Sequence, residues 1–130
     1  MWFDASMIDA FTHGMKAAIE DDCHYRCRRV DTEEYNGDVV DEIMAQLRES
    51  RFVVCDLTGH RSGVYFEAGF VMGLEIPTIW TCRGDHAGQT HFDAEHFNQI
   101  RWTSPDELRN KLATRIRATL GLGPLKPAEA

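Results

Sequence analysis

The sequence predicts an α/β protein in which a parallel β-sheet is flanked by helices. Two observations support this class: strand-like and helix-like segments alternate along the chain, and the strand-like runs are short, apolar and followed by turn residues. Such alternation is typical of right-handed βαβ units, whose strands are parallel. The 130 residues suffice for one domain. We assign this domain to residues 1–122 and expect residues 123–130 to form a flexible tail.

The first half of the chain holds two predicted helices and two predicted strands, over residues 6–20, 24–30, 39–47 and 52–56 in the order helix, strand, helix, strand. The helices have apolar residues three or four positions apart, and Ser6 can cap the first one. The strand over 24–30 is predicted because Arg26 and Arg28 alternate with less polar neighbours. The strand over 52–56 is predicted from its continuous β-rich apolar run, and we expect it near the centre of the sheet.

The second half holds two more helices and two more strands, over residues 63–74, 77–82, 98–102 and 105–120 in the order helix, strand, strand, helix. A long polar loop separates the two strands. Ser104 and Pro105 predict the start of the last helix, since serine caps helices and proline suits their first turn. Gly121 predicts its end.

The region before the first helix is shorter than this fold class requires. A doubly wound sheet has a central strand there, yet only Met1 to Asp4 precede the helix. Unpaired backbone groups on the neighbouring strand would be costly. We therefore expect Met1-Trp2-Phe3 to form the tail of a truncated first strand. Upstream residues, a swapped segment or a dimer contact would fill the gap.

The composition of the chain indicates which classes of binding partner to expect. A net charge of −7 argues against a nucleic acid polymer, which requires a basic face. The sequence shows no apolar run of membrane-spanning length and no signal peptide, so a cytoplasmic protein without membrane contact is expected. The four cysteines lack a second pair with metal-ligand spacing and are predicted to be reduced thiols. We expect neither a metal nor another cofactor.

Residues 52–74 contain the strongest functional signal. Asp56 ends a strand, a polar glycine-containing turn follows, and Glu67 then lies within an otherwise apolar helix. Ligands of open α/β sheets bind where strands end and helices begin, so Asp56, the turn and Glu67 are expected to share one crevice. A carboxylate among apolar residues is costly to bury unless it has partners or a task. The alternative for Glu67 is a structural role, paired with an arginine or with backbone donors.

This segment resembles the nucleoside 2-deoxyribosyltransferase-like family, which includes nucleotide N-glycosidases acting on nucleoside 5'-monophosphates. The matching residues are Asp56-Leu57-Thr58-Gly59, Gly63-Val64-Tyr65-Phe66-Glu67-Ala68-Gly69-Phe70, Gly73-Leu74 and the strand Pro77-Thr78-Ile79. The resemblance implies a flavodoxin-like parallel sheet, a nucleoside or nucleotide substrate, and a homo-oligomer with composite sites. It also implies that Glu67 attacks the anomeric carbon of the sugar.

The chain departs from the family pattern at one catalytic position. Many members have an aspartate just before the strand that leads to the turn, where it handles the proton of the leaving base; here Ser50 and Arg51 occupy that place. Asp56 could be the proton donor, a ribose-hydroxyl ligand or a cap of the turn. Two functions therefore stay open: an N-glycosidase or deoxyribosyltransferase, and a non-catalytic nucleotide-binding or signalling module.

The remaining candidate residues would bind substrate. Trp2 and Phe3 could stack on a base or belong to the core. Arg61, with the backbone amides of Ser62 and Gly63, could hold a phosphate at a helix N-terminus or form a solvated loop. The full candidate set is Glu67 and Asp56 as catalytic residues, with Trp2, Phe3, Thr58, Gly59, Arg61, Ser62 and Gly63 as substrate ligands. The loop residues His91, Asp93 and His96 fit no metal motif and predict a solvated loop.

Overall fold

The fold is a parallel sheet between two layers of helices. The computed structural model describes residues 1, 4–29, 39–60, 62–89 and 98–125. Its elements are the helices α1 (Ala10–Asp22), α2 (Val39–Arg48), α3 (Ser62–Gly73) and α4 (Pro105–Thr119), the strands β1 (Val53–Asp56), β2 (Thr78–Arg83) and β3 (Ile100–Trp102), and two 3₁₀ segments (Ala5–Met7 and Gly84–Gln89). The described strands form one sheet in the order β1-β2-β3, with both pairs parallel. The predicted α/β class is confirmed, and the arrangement is consistent with a flavodoxin-like fold.

Two apolar clusters cover the two faces of this sheet. On one face α1 and α4 pack against Ile79, Ile100 and Trp102. On the other face α3 packs through Val64 and Ala68, together with the strand residues Cys55, Trp80 and Cys82. Successive side chains of a strand point to opposite faces, which explains why neighbouring residues such as Ile79 and Trp80 belong to different clusters.

Two expectations for the strands were wrong within the described residues. Residues 24–29 form no strand. The N–H of Tyr25 donates to the carbonyl of Ile19, and the N–H of Cys27 donates to the carboxylate of Glu20, so this segment is bound to the end of α1 instead of to a strand. The described sheet has β2 at its centre and β1 at its edge, because β2 pairs on both sides.

Helix α1 has a wider turn than the sequence period predicts. Its backbone follows the π pattern, in which each N–H bonds five residues back. Its buried residues are Ala10, Gly14, Met15, Ala17, Ala18 and Ile19, whereas Ile8, which precedes the helix and was expected on its apolar face, is 61% exposed. The preceding turn is capped by Asp4, whose carboxylate accepts the N–H of Ser6, and not by Ser6 itself.

Helix α4 confirms the signals read at its ends. Ser104 accepts the N–H of Glu107 and Pro105 occupies the first turn. Beyond the last turn Gly121 adopts a φ of +76°, a conformation that favours glycine. The following residues lie against the loop after α1, since the N–H of Gly123 donates to the carbonyl of Cys23.

Gly14 lies where α1 passes close to the start of α4, and replacing it by alanine should destabilise the protein. The added Cβ would lie 2.9 Å from Leu108 Cδ2 and 3.1 Å from the Pro105 carbonyl oxygen. We expect a loss of about 1–3 kcal/mol in the free energy of unfolding, measured with urea.

Gly69 in α3 is the matched control for this substitution. Nothing lies within 4 Å of its added Cβ. Gly69→Ala should therefore stabilise the helix by up to about 1 kcal/mol. Equal effects of the two substitutions would contradict the close packing at Gly14.

Helix α3 is apolar around its whole circumference. Its inner side buries Val64, Ala68 and Val71, of which Val64 and Ala68 pack against strand residues. Its outer side exposes Phe66, of which 60% is accessible, beside Gly69. Although α3 is this apolar, it is short, and no helix in the described ranges has both the length and the low polarity needed to cross a membrane.

Candidate functional site

A groove of about 990 Å³ opens beside β1, and we refer to it as the β1 groove. Within the described sheet only one edge of β1 is paired, and the N–H groups of Val53 and Leu57 donate across that edge to β2 and its flanking residues. Because donors alternate along a strand, the N–H groups of Val54 and Asp56 point to the opposite edge. The groove follows this edge and reaches both faces of the sheet.

The walls of the β1 groove are mostly apolar, with charged residues at intervals. Helix α1 provides one wall and α3 provides the facing wall. The apolar lining includes Phe11, Met15, Ile19, Leu47, Phe52, Val53, Val54 and Val64, and the charged lining comprises Arg26, Arg28, Arg29, Glu49, Arg51 and Glu67. An apolar cleft with a few polar groups is typical of small-molecule sites.

Glu67 extends from α3 into this groove and is half-buried there. Its charge acts on Cys55, a neighbouring groove residue in β1. The pKa of the Cys55 thiol is raised to about 12, mainly by burial and also by the negative charges of Glu67 and Asp56, which outweigh any opposing pull toward a lower pKa from the N-terminal ammonium group. Glu67 and Cys55 therefore line the same groove, one from α3 and the other from β1.

Asp56 occupies a different environment. Its carboxylate is fully buried and accepts three hydrogen bonds: Oδ1 from the N–H of Thr58 at 3.0 Å, and Oδ2 from the Thr81 hydroxyl and from Trp102 Nε1. These donors tie β1 to β2 and β3 on the face covered by α1 and α4. Asp56 is absent from the described lining of the β1 groove, so the structure does not bring it into one pocket with Glu67.

The turn after β1 is bound to the end of β2. The hydroxyl of Thr58, which is buried, accepts the N–H of Arg83 at 2.9 Å. The N–H of Gly59 donates to His86 Nδ1 at 3.1 Å, and the Arg83 guanidinium lies 3.3 Å from Nε2 on the other side of the ring. The ring of His60 lies between Tyr65 Oη and the carbonyl of His86, at 3.0 and 2.7 Å. Thr58 and Gly59 thus shape the turn.

Arg83 is engaged on the protein surface and does not line the β1 groove. Its guanidinium bonds Asp85 at 2.7 Å and the Ser6 hydroxyl at 3.1 Å. The hydrogen bond from Arg83 is the main reason why the pKa of Asp85 falls below its usual value.

The other predicted ligands fall partly outside the described residues. Trp2, Phe3 and Arg61, like His91, Asp93 and His96 of the long loop, lie outside them. Ser62 begins α3, and Gly63 is exposed in its first turn. The arginines of the groove were missed as site residues, although the alternation of Arg26 and Arg28 is visible in the sequence.

Thiols and metal ligands give no sign of a metal centre in the described ranges. The four cysteines are free, and burial raises the pKa of Cys27 and of Cys82 to about 11. Thiols with such pKa values are poor nucleophiles at neutral pH. No group of three metal-ligating side chains occurs among the described residues.

Comparison of the chain with protein-family models, with curated proteins and with solved structures gave no match.

Proposed function

We propose that the protein cleaves or exchanges the N-glycosidic bond of a nucleoside or nucleoside 5'-monophosphate, with Glu67 as nucleophile. The observation that supports this most directly is the position of Glu67 in the wall of the β1 groove, next to Cys55. The resemblance of residues 56–70 to nucleoside 2-deoxyribosyltransferase-like proteins supports the same role. A second carboxylate, Glu49, also lines the groove, but it precedes β1 and lies outside the segment that resembles the family.

The proposed chemistry is a double displacement at the anomeric carbon. A Glu67 oxygen forms a bond to C1' while the C1'–N bond breaks, and the base leaves with the bonding electron pair. Water then attacks C1' in a hydrolase, or a ring nitrogen of a second base does so in a transferase; the bond between C1' and the Glu67 oxygen breaks, the carboxylate is released, and the attacking group loses its proton to solvent. The departing base takes its proton from solvent in this proposal, because Asp56 already accepts three hydrogen bonds and Arg51 stands where the family acid is expected.

The second candidate function is a non-catalytic nucleotide-binding or signalling module. The buried state of Asp56 and the absence of an acid at Ser50 and Arg51 favour it. A chromatographic assay of base release from nucleosides and their 5'-monophosphates separates the two functions. Release of free base supports the enzyme, and nucleotide binding without release supports the binding module. Neither binding nor release would overturn both.

The proposal also covers partners and location. We propose a cytoplasmic protein that acts on small molecules and not on a nucleic acid polymer, and that forms a homo-oligomer.

The outer side of α3 is suited to contact with a second copy of the chain. Phe66 projects there, and Gly73, two turns later on the same helix, leaves open space above it. In a dimer with a two-fold axis, the ring of Phe66 from each copy can occupy the open space beside the glycine of the other copy.

Phe66→Asp should convert this oligomer to a monomer, because it places a charge in the proposed interface. Light scattering coupled to size-exclusion chromatography measures the mass. Ile8→Asp is the matched control, since Ile8 is equally exposed but lies before α1. A wild-type protein that stays monomeric at about 100 μM would contradict the proposed interface.

A further inference from the structure

The β1 groove contains an unusual concentration of arginine for an acidic protein. Arg26, Arg28, Arg29 and Arg51 all line it, in a chain with a net charge of −7. Three of them, Arg26, Arg28 and Arg51, make no hydrogen bond or ion pair with the described part of the chain. Cations that are not neutralised by the protein attract an anion to a cleft.

These arginines are spread along the groove instead of converging on one point. The ring of Tyr25 packs edge-on against Phe52, just before β1, with 5.1 Å between centroids. Four residues later the guanidinium of Arg29 lies over Phe11 in the first turn of α1, 5.3 Å from its centroid. The segment between these anchors therefore runs along the groove, and Arg51 stands near its Phe52 end.

The distance covered by these arginines indicates how many phosphates the ligand contains. The three residue steps from Arg26 to Arg29 span at most about 10 Å. One or two arginine forks suffice for a single phosphate, since each fork forms two parallel hydrogen bonds with its oxygens. The three guanidinium groups of Arg26, Arg28 and Arg51, distributed along a cleft, match a ligand with at least two phosphates in line.

We infer that the β1 groove binds a nucleotide that contains a pyrophosphate group, with the phosphates along Arg26, Arg28 and Arg51 and a sugar beside Glu67. The position of the sugar rests on the proposed function, whereas the position of the phosphates rests on the arginines alone. Nucleoside diphosphates and dinucleotides joined by a pyrophosphate share this chemistry. The groove, at about 990 Å³, lies at the upper end of the usual size of ligand pockets.

Isothermal titration of the Glu67→Gln variant at about 0.15 M salt tests the inference without turnover. The probes are adenosine, its 5'-monophosphate, its 5'-diphosphate, diadenosine pyrophosphate and inorganic pyrophosphate, with the uridine series in parallel. We expect the diphosphate to bind at least tenfold more tightly than the monophosphate. Arg28→Gln and Arg51→Gln should each remove most of that gain. The control Arg101→Gln, at an exposed position of β3, should leave it unchanged.

The outcomes separate this inference from the proposed chemistry. Equal affinity for the nucleoside, monophosphate and diphosphate, or a gain that survives both arginine substitutions, would overturn the inference whether or not the wild type releases base. An arginine-dependent gain without any base release would support the inference while the proposed chemistry fails. Tighter binding of diadenosine pyrophosphate than of the diphosphate would identify a dinucleotide as the ligand, and equal binding would identify the nucleoside diphosphate.

Discussion

Asp56→Ala should lower the free energy of unfolding by about 3–5 kcal/mol, the largest effect on stability that we expect from a single substitution. The carboxylate is fully buried and accepts hydrogen bonds from Thr58, Thr81 and Trp102. Its removal leaves an amide, a hydroxyl and an indole N–H without an acceptor where water does not reach. Urea unfolding followed by tryptophan fluorescence measures the loss.

Two control variants define the cause of this loss. Asp85→Ala removes an exposed carboxylate paired with Arg83, and we expect no measurable change in the free energy of unfolding because solvent screens such a pair. Asp56→Asn keeps one carbonyl acceptor but turns an NH₂ group toward the donors, so its loss should be intermediate. If Asp56→Ala were as mild as Asp85→Ala, the three-strand hydrogen-bond network would have no energetic importance.

Glu67→Ala should reduce turnover by at least about a thousandfold while nucleotide affinity changes only a few-fold. The reason is that a nucleophile contributes to bond formation at C1', whereas the ground-state complex depends on the rest of the groove. Single-turnover base release gives the rate, and titration calorimetry gives the affinity. The experiment requires a substrate identified by the base-release screen.

Glu49→Ala is the matched control, because Glu49 is the other carboxylate in the described lining of the β1 groove. It should retain both rate and affinity. Full turnover by Glu67→Ala would decide against the mechanism. A parallel loss of binding and turnover would assign Glu67 to substrate recognition instead.

The elements predicted correctly are those determined by local chemistry. Apolar runs bounded by turn residues placed β1 and β2 within one or two residues of their observed ends. Ser104, Pro105 and Gly121 delimited α4 because capping depends on the residues at the helix ends themselves. Glu67 was identifiable for the same reason, as a single charge in an apolar helix.

The features that were missed depend on partners distant in sequence. The alternation at residues 24–30 was suited to a strand, but a strand forms only where a neighbour is available, and Glu20 bonds this backbone instead. The hydrogen bond between Trp102 and Asp56 joins residues 46 positions apart and helps to bury a carboxylate that could have opened to a crevice. Local patterns do not specify such pairings.

The apolar character of α3 has a consequence for the unfolded chain. Residues 62–74 contain a single charge, that of Glu67. In a nascent or denatured polypeptide, charge repulsion between copies of this segment is therefore weak and the segment can self-associate. Aggregation depends on encounters between chains and folding does not, so refolding yields should fall as protein concentration rises. Glu67 would then also act as a gatekeeper residue, and its substitution lowers the recovery of native protein independently of any chemistry at C1'.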